Sequence, residues 1–124
     1  MKYLIKTTLL LGFFVTILLS CSPIEVKTVS SDQLIVRAEI TYEKFSDTPF
    51  TGNLLDFYKN GQLKGKGSYK NGQVYGPFEM YYKNGNLEYK GNMGEIGLDG
   101  PYETYDENGQ LYSKTTYKND EING

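Results

Sequence analysis

The sequence predicts an all-β fold: an elongated single-layer antiparallel sheet of repeated hairpins, preceded by a signal-peptide helix. Three observations carry that expectation. First, positions recur every 24 residues: Gly52, Gly76, Gly100 and Gly124; Gly61, Gly85 and Gly109, each preceded by Asn; Leu63, Leu87 and Leu111; and the aromatics Phe57, Tyr81 and Tyr105. A fixed period of this length marks stacked supersecondary units. Second, Asn-Gly is a strong hairpin signal because both residues tolerate positive φ. Third, Tyr, Phe and Thr favour strands, and Gly and Asn recur too often for helices.

The elements follow in chain order. Residues 1–20 read as a signal peptide: Lys2 and Lys6 form a positive start, Leu9–Leu19 an apolar run, and Ser20 a small residue before Cys21. The apolar run after Lys6 is shorter than the roughly 20 residues of a spanning helix. Leu18-Leu19-Ser20-Cys21 resembles the bacterial lipobox, which implies acylation of Cys21 and a new N-terminus there. Cys21 is the only cysteine, so no intramolecular disulfide forms and a thioether-linked lipid accounts for it. Residues 21–33 are expected as the lipidated N-terminus and a polar tether, with a strand starting at Ile24, Glu25 and Val26 as the alternative. The repeat module is expected over residues 34–124, opening with the β-rich stretch Leu34–Ile40. Phe45 stands 24 residues before Tyr69, which predicts that Ile40–Thr51 is the second half of a partial repeat.

Within each unit, a Gly-led strand such as Phe78–Tyr82 runs to an Asn-Gly turn, and a second strand such as Asn86–Met93 returns. A two-residue type I′ loop would pair Tyr58 with Leu63. A three-residue loop, type I with a G1 bulge, would pair Phe57 with Leu63. Asp106 and Gly109 occupy the positions that a type I turn prefers, so the bulged register is expected.

These units, Gly76-Pro77-Phe78-Glu79-Met80-Tyr81-Tyr82-Lys83-Asn84-Gly85 and Gly100-Pro101-Tyr102-Glu103-Thr104-Tyr105-Asp106-Glu107-Asn108-Gly109, resemble MORN repeats of the bacterial variant type. The entry Pro49-Phe50-Thr51-Gly52 does so as well, and the resemblance covers about Ile40–Gly124. It implies a single-layer sheet with one hairpin per repeat. Bacterial proteins of this kind are often labelled antitoxin components, and an immunity role against a toxin acting in the envelope is the alternative function. An exported chain departs from the cytoplasmic form of that role.

Composition narrows the chemistry. The chain has no His, and acylation of Cys21 leaves no thiol, so the usual general base, the thiol nucleophile and the common zinc ligand sets are missing. No cofactor is expected. Removing Lys2 and Lys6 with the leader leaves 11 basic residues against 15 acidic ones, a charge near −4 that argues against nucleic acid as partner. Anionic lipid would not attract such a chain, so the membrane is expected as partner through the covalent anchor alone. Glu79 and Glu103 share a repeat column two strands apart, roughly 10 Å, just beyond the ~6.5–9.5 Å of an inverting glycosidase. A carbohydrate-active enzyme is therefore a remote reading beside two solvated glutamates.

The aromatic residues point instead to binding. Eleven tyrosines follow the leader, and Tyr81, Tyr82, Tyr89, Tyr102, Tyr105, Tyr112 and Tyr117 are expected to stack in ladders. Tyr81 and Tyr82 lie on opposite faces, so one ladder is partly exposed. Phe57, Tyr58, Tyr81, Tyr82 and Tyr105 are the candidate binding residues, for a protein or cell-envelope partner of a non-catalytic module. The last strand is expected to present an edge, blunted by Lys114, Lys118, Asp120 and Glu121 or open to strand addition.

Overall fold

The structure, a computed structural model, describes residues 23–124; the leader expected over 1–20 and Cys21 lie outside the described residues. The strands are β1 (Thr28–Val29), β2 (Leu34–Arg37), β3 (Ile40–Glu43), β4 (Gly52–Phe57), β5 (Leu63–Lys70), β6 (Gln73–Val74), β7 (Gly76–Tyr81), β8 (Leu87–Met93), β9 (Gly100–Tyr105), β10 (Leu111–Lys118) and β11 (Glu121–Ile122). A nine-stranded sheet runs in the order β1-β4-β5-β7-β8-β9-β10-β11, with β6 also on β5, and β2–β3 form a separate two-stranded sheet. The all-β repeated hairpin architecture is as the period predicts.

The hairpins take the bulged register. Gly61 N–H donates to Tyr58 O at 2.9 Å and Tyr58 N–H to Gln62 O at 2.8 Å, and Gly61 has φ +83°. The same pattern recurs at Tyr82–Asn86 and Asp106–Gln110. Phe57, Tyr81 and Tyr105 consequently face Leu63, Leu87 and Leu111. Only the glycine of each Asn-Gly adopts positive φ there, so Asn ends the type I turn and Gly forms the bulge. The two-residue type I′ geometry appears elsewhere: Asn71 and Gly72, at φ +51° and +79°, turn β5 into β6. One further residue per hairpin, Lys64, Glu88 or Tyr112, is skipped by the pairing, a second bulge that strengthens local twist.

Three expectations at the N-terminal end are corrected. Phe45 is not a repeat residue: it is fully exposed with φ +66° in a turn, whereas Tyr69, Met93 and Tyr117 of its supposed column are partly covered on the sheet. Phe50 opens the true register, 3% exposed, its ring 5.8 Å from that of Tyr69. The stretch Leu34–Ile40 is β-rich as expected, but with the residues up to Glu43 it closes on itself as the β2–β3 hairpin, so Ile40–Thr51 is not the second half of a repeat. The tether is also shorter than expected. Thr28 and Val29 pair in parallel with Asn53 and Leu54, because Val29 buries its side chain to 4% exposure there. Ser31–Gln33 then form a single 3-10 turn.

Among the described residues only Val29 and Phe50 are buried large apolar side chains. Among the described residues no second layer covers the sheet, so its stability there rests on cross-strand pairs within each face.

Candidate functional site

Strand alternation sorts the side chains of the repeats onto two unlike faces. One face is aromatic and apolar. Phe78, Tyr89 and Tyr102 form a triangle of tilted and edge-on rings with centroids 6.0–6.4 Å apart, and Tyr102 meets Tyr117 edge-on at 6.2 Å. Glycines make room for them. A Cβ on Gly91 would lie 2.7 Å from Phe78 Cζ and 2.9 Å from Tyr102 Cδ2, so both rings lean over that backbone. A hollow of about 320 Å³ opens beside them, lined by Leu54, Gly65, Tyr69, Phe78, Met80 and Tyr89. Burial pushes the phenols of Tyr69, Tyr89 and Tyr102 above their ordinary range, which keeps this face uncharged.

The opposite face carries a row of alternating charge. In register across the strands stand Leu55, Lys66, Glu79, Lys90, Glu103 and Lys114. Lys66 Nζ lies 2.9 Å from Glu79 Oε2, Lys90 Nζ 3.0 Å from Glu103 Oε2, and Lys114 Nζ 2.9 Å from Glu103 Oε1. Two residues along each strand, Tyr81 and Tyr105 donate their hydroxyls to Glu79 and Glu103. The first repeat replaces both partners together: Leu55 stands for the carboxylate and Phe57 for the phenol. Carboxylate and hydroxyl thus occur or vanish as a pair, as expected if each exists to satisfy the other.

These donors set the titration of the row. The Tyr105 hydroxyl, with Lys114 and Lys90 beside it, lowers Glu103 from 4.5 to about 2. Tyr81 and Lys66 lower Glu79 as well. A depressed carboxylate stabilises the fold fully above its unfolded pKa and loses that contribution as pH falls towards its folded value. Stability is therefore expected to decline as pH drops from about 4.5 towards 2. Urea midpoints across that range should fall in the wild type and fall less in Glu103→Gln; equal slopes would contradict the pairing.

The five candidate binding residues divide between the faces. Phe57, Tyr81 and Tyr105 align at the turn end of the charged face, and Phe57 is 54% exposed. Tyr58 and Tyr82 sit beyond the aromatic face, where their hydroxyls reach the next repeat: Tyr58 to Tyr81 O at 2.7 Å, and Tyr82 to Tyr105 O at 2.9 Å. Asn60 and Asn84 do likewise, donating to Lys83 O at 3.2 Å and to Glu107 O at 2.8 Å. Each turn is thereby tied to its successor. In the third repeat Asp106 replaces the tyrosine and instead accepts from Asn108 N and Gln110 N within its own turn.

Of the tyrosines expected to stack, Tyr89, Tyr102 and Tyr117 do so; the ladder is completed by Phe78, which the sequence-based list omits. Its position one residue before Glu79, and Tyr102's before Glu103, is the signal that could have found it. Tyr112 occupies the skipped position and is 82% exposed. Glu79 and Glu103 share one row but Lys90 stands between them, so no gap for a substrate and a water separates the carboxylates. The described residues contain no cluster of three or more His, Cys, Asp or Glu side chains suited to a metal ion.

Comparison with known families gives one match. The model described as MORN repeat variant fits residues 50–71, 75–93 and 98–119, together just over half of the 124-residue chain. The first matched segment begins at Phe50, where the structure places the start of the repeat register. No curated protein and no solved structure matches the chain.

Proposed function

Because the chain belongs to the MORN repeat variant family, whose repeats are in general interaction modules, we propose that it is a lipid-anchored, extracytoplasmic binding module of a bacterial envelope. Cys21 is the acylated residue, and the outer membrane is its location in a cell that has one. The observation that carries the binding role is the uncovered sheet: two unlike faces, with the column Phe57, Tyr81 and Tyr105 presented along the turn end. Tyrosine suits such a surface, since it offers a flat apolar body with a polar tip at little entropic cost. Tyr58 and Tyr82 hold successive turns at fixed spacing behind that column and so act as its scaffold.

The module works without catalysis on this reading. A general acid needs a raised pKa near neutrality, whereas Glu103 is held at about 2 and Glu79 is lowered. Both carboxylates are spent on lysines of neighbouring strands.

Fatty-acid labelling, membrane fractionation and crosslinking in the native host test the proposal together. The wild type is expected to take up label, sediment with membranes and capture a protein or envelope component. Cys21→Ala is expected to lose label and sedimentation. Tyr81→Ala with Tyr105→Ala should keep the fold and the anchor but lose the captured partner. A Cys21→Ala protein that still labels and sediments would sink the anchor. Capture of no partner above the Cys21→Ala control would sink the binding role.

A further inference from the structure

We propose that the aromatic face seats a second copy of the chain face to face, about a two-fold axis parallel to the strands between β7 and β8, so that Tyr102 of each copy enters the hollow beside Gly67 of the other. This surface is separate from the lipid anchor and from the turn-end column, which lies on the opposite face.

The hollow arises from two departures in the first repeat. Leu54 stands where the next repeats carry Phe78 and Tyr102, and Gly65 stands where the second repeat carries Tyr89. Over Gly91 the rings of Phe78 and Tyr102 lean in from both neighbouring strands and leave no room for a Cβ. Gly67 holds the same position one repeat earlier, yet a Cβ there would meet only Phe78 Cβ, at 3.5 Å. Phe78 leans away towards Gly91, and Leu54 does not reach over Gly67. The Met80 sulfur covers Gly65. What remains is the 320 Å³ hollow, walled by Leu54, Tyr69, Phe78 and Met80, with room for an aromatic ring.

The pattern of the face fits that ring to another copy of itself. From β4 to β10 the row through the hollow reads Leu54, Gly67, Phe78, Gly91, Tyr102, Thr115. Read backwards, it sets a large side chain against every glycine and Thr115 against Leu54. Rotation about the proposed axis performs that reversal, laying β9 of one copy over β5 of the other. The adjoining row alternates in the opposite phase, with Gly52 beside Tyr69, Gly76 beside Met93 and Gly100 beside Tyr117, so it too reverses onto its own gaps. On the other side Met80 falls on Tyr89 of the second copy, a favourable sulfur–ring contact. Every contact is made twice, as a two-fold interface requires. An axis across the strands would instead set glycine on glycine and Tyr102 on Tyr102.

Charge does not oppose the pairing. The row of Lys66, Glu79, Lys90 and Glu103 lies on the far face of each copy. Asp56, a carboxylate at the margin of the aromatic face, comes opposite Ser113. Six strands about 4.8 Å apart and some four residues deep give roughly 300 Å² in plan per copy. That places the pair among the weak interfaces, below about 1,200 Å² in total.

Sedimentation equilibrium and isotope-filtered NMR on an equal mixture of labelled and unlabelled protein test the proposal. The expected result is a concentration-dependent dimer with contacts between the Tyr102 ring of one copy and the Gly67 α-protons of the other. Within one copy these groups lie three strands apart, roughly 14 Å, too far for such a contact. Gly67→Val has space beside Phe78 in the single copy but fills the hollow, so it should weaken the dimer about tenfold or more while keeping the monomer's amide spectrum. Thr115→Arg, at a half-covered position facing Leu54 of the other copy, should weaken it as well and carries the test if Gly67→Val does not fold. Three results would each overturn the proposal: a protein that stays monomeric at millimolar concentration, a folded variant of either kind that dimerises as tightly as the wild type, or contacts of Tyr102 with Tyr102 between copies.

Discussion

Phe50→Ala is expected to destabilise the module by about 3 kcal/mol, at the lower end for loss of a buried phenylalanine because the site lies near the surface. Phe50 is one of two buried large apolar side chains among the described residues, and it joins three parts of the fold. Its ring packs on Tyr69 of β5. Its N–H donates to Thr41 O of β3 at 2.9 Å, and its carbonyl accepts from Gly72 N at 2.7 Å. A Cβ on Gly52 would stand 2.8 Å from Phe50 Cζ, so that glycine is the floor under the ring. Alanine leaves the backbone bonds but empties the space among these elements. Val74→Ala, in the equivalent position one repeat on and only half-covered, should cost about 1 kcal/mol. Urea unfolding of the two variants checks the account; similar losses for both would show that the packing around Phe50 is not special.

The second large effect is at Gly72. Its φ of +79° is a left-handed conformation that an L-residue adopts at a cost of roughly 1–2 kcal/mol. Its added Cβ would also lie 2.8 Å from Thr41 O and press on the Ile40 side chain. Backbone cannot rotate aside as a flexible side chain does, so overpacking adds about 1–3 kcal/mol. Gly72→Ala is expected to lose about 2–5 kcal/mol in all. Thr41 N donates to Gly72 O at 2.9 Å, so the damage should centre where β3 meets the β5–β6 turn. Gly61→Ala makes the contrast: φ is similarly positive at +83°, but nothing lies within 4 Å of the added carbon. It should lose only the conformational part, and equal losses in the two variants would refute the steric argument.

The sequence is legible where one residue type does one local job in every copy. Asn-Gly turns, the leucines after them and the aromatics opposite those leucines give the three repeat hairpins and their register, and the structure agrees on both; the short hairpins β5–β6 and β10–β11 between and after them were not foreseen. The second bulge is invisible because it is occupied by Lys64, Glu88 and Tyr112, residues with nothing in common. Phe45 misleads because spacing alone cannot tell a repeat position from a turn, and Phe50 five residues later fills the place. The hydroxyl partners of Tyr58 and Tyr82 are backbone carbonyls, which have no letter of their own. The charged row, by contrast, was there to be read. Leu55 with Phe57, against Glu79 with Tyr81 and Glu103 with Tyr105, is a paired exchange within one chain.

Burial along one column differs sharply between its two ends. Phe50 is 3% exposed, Val74 and Leu98 are half-covered, and Ile122 is 71% exposed. Each turn is bonded only to the next, so the units couple as nearest neighbours along a line. Such a chain does not melt evenly. It frays like a zipper from its least covered tooth, with β10 and β11 opening while the strands around Phe50 stay shut.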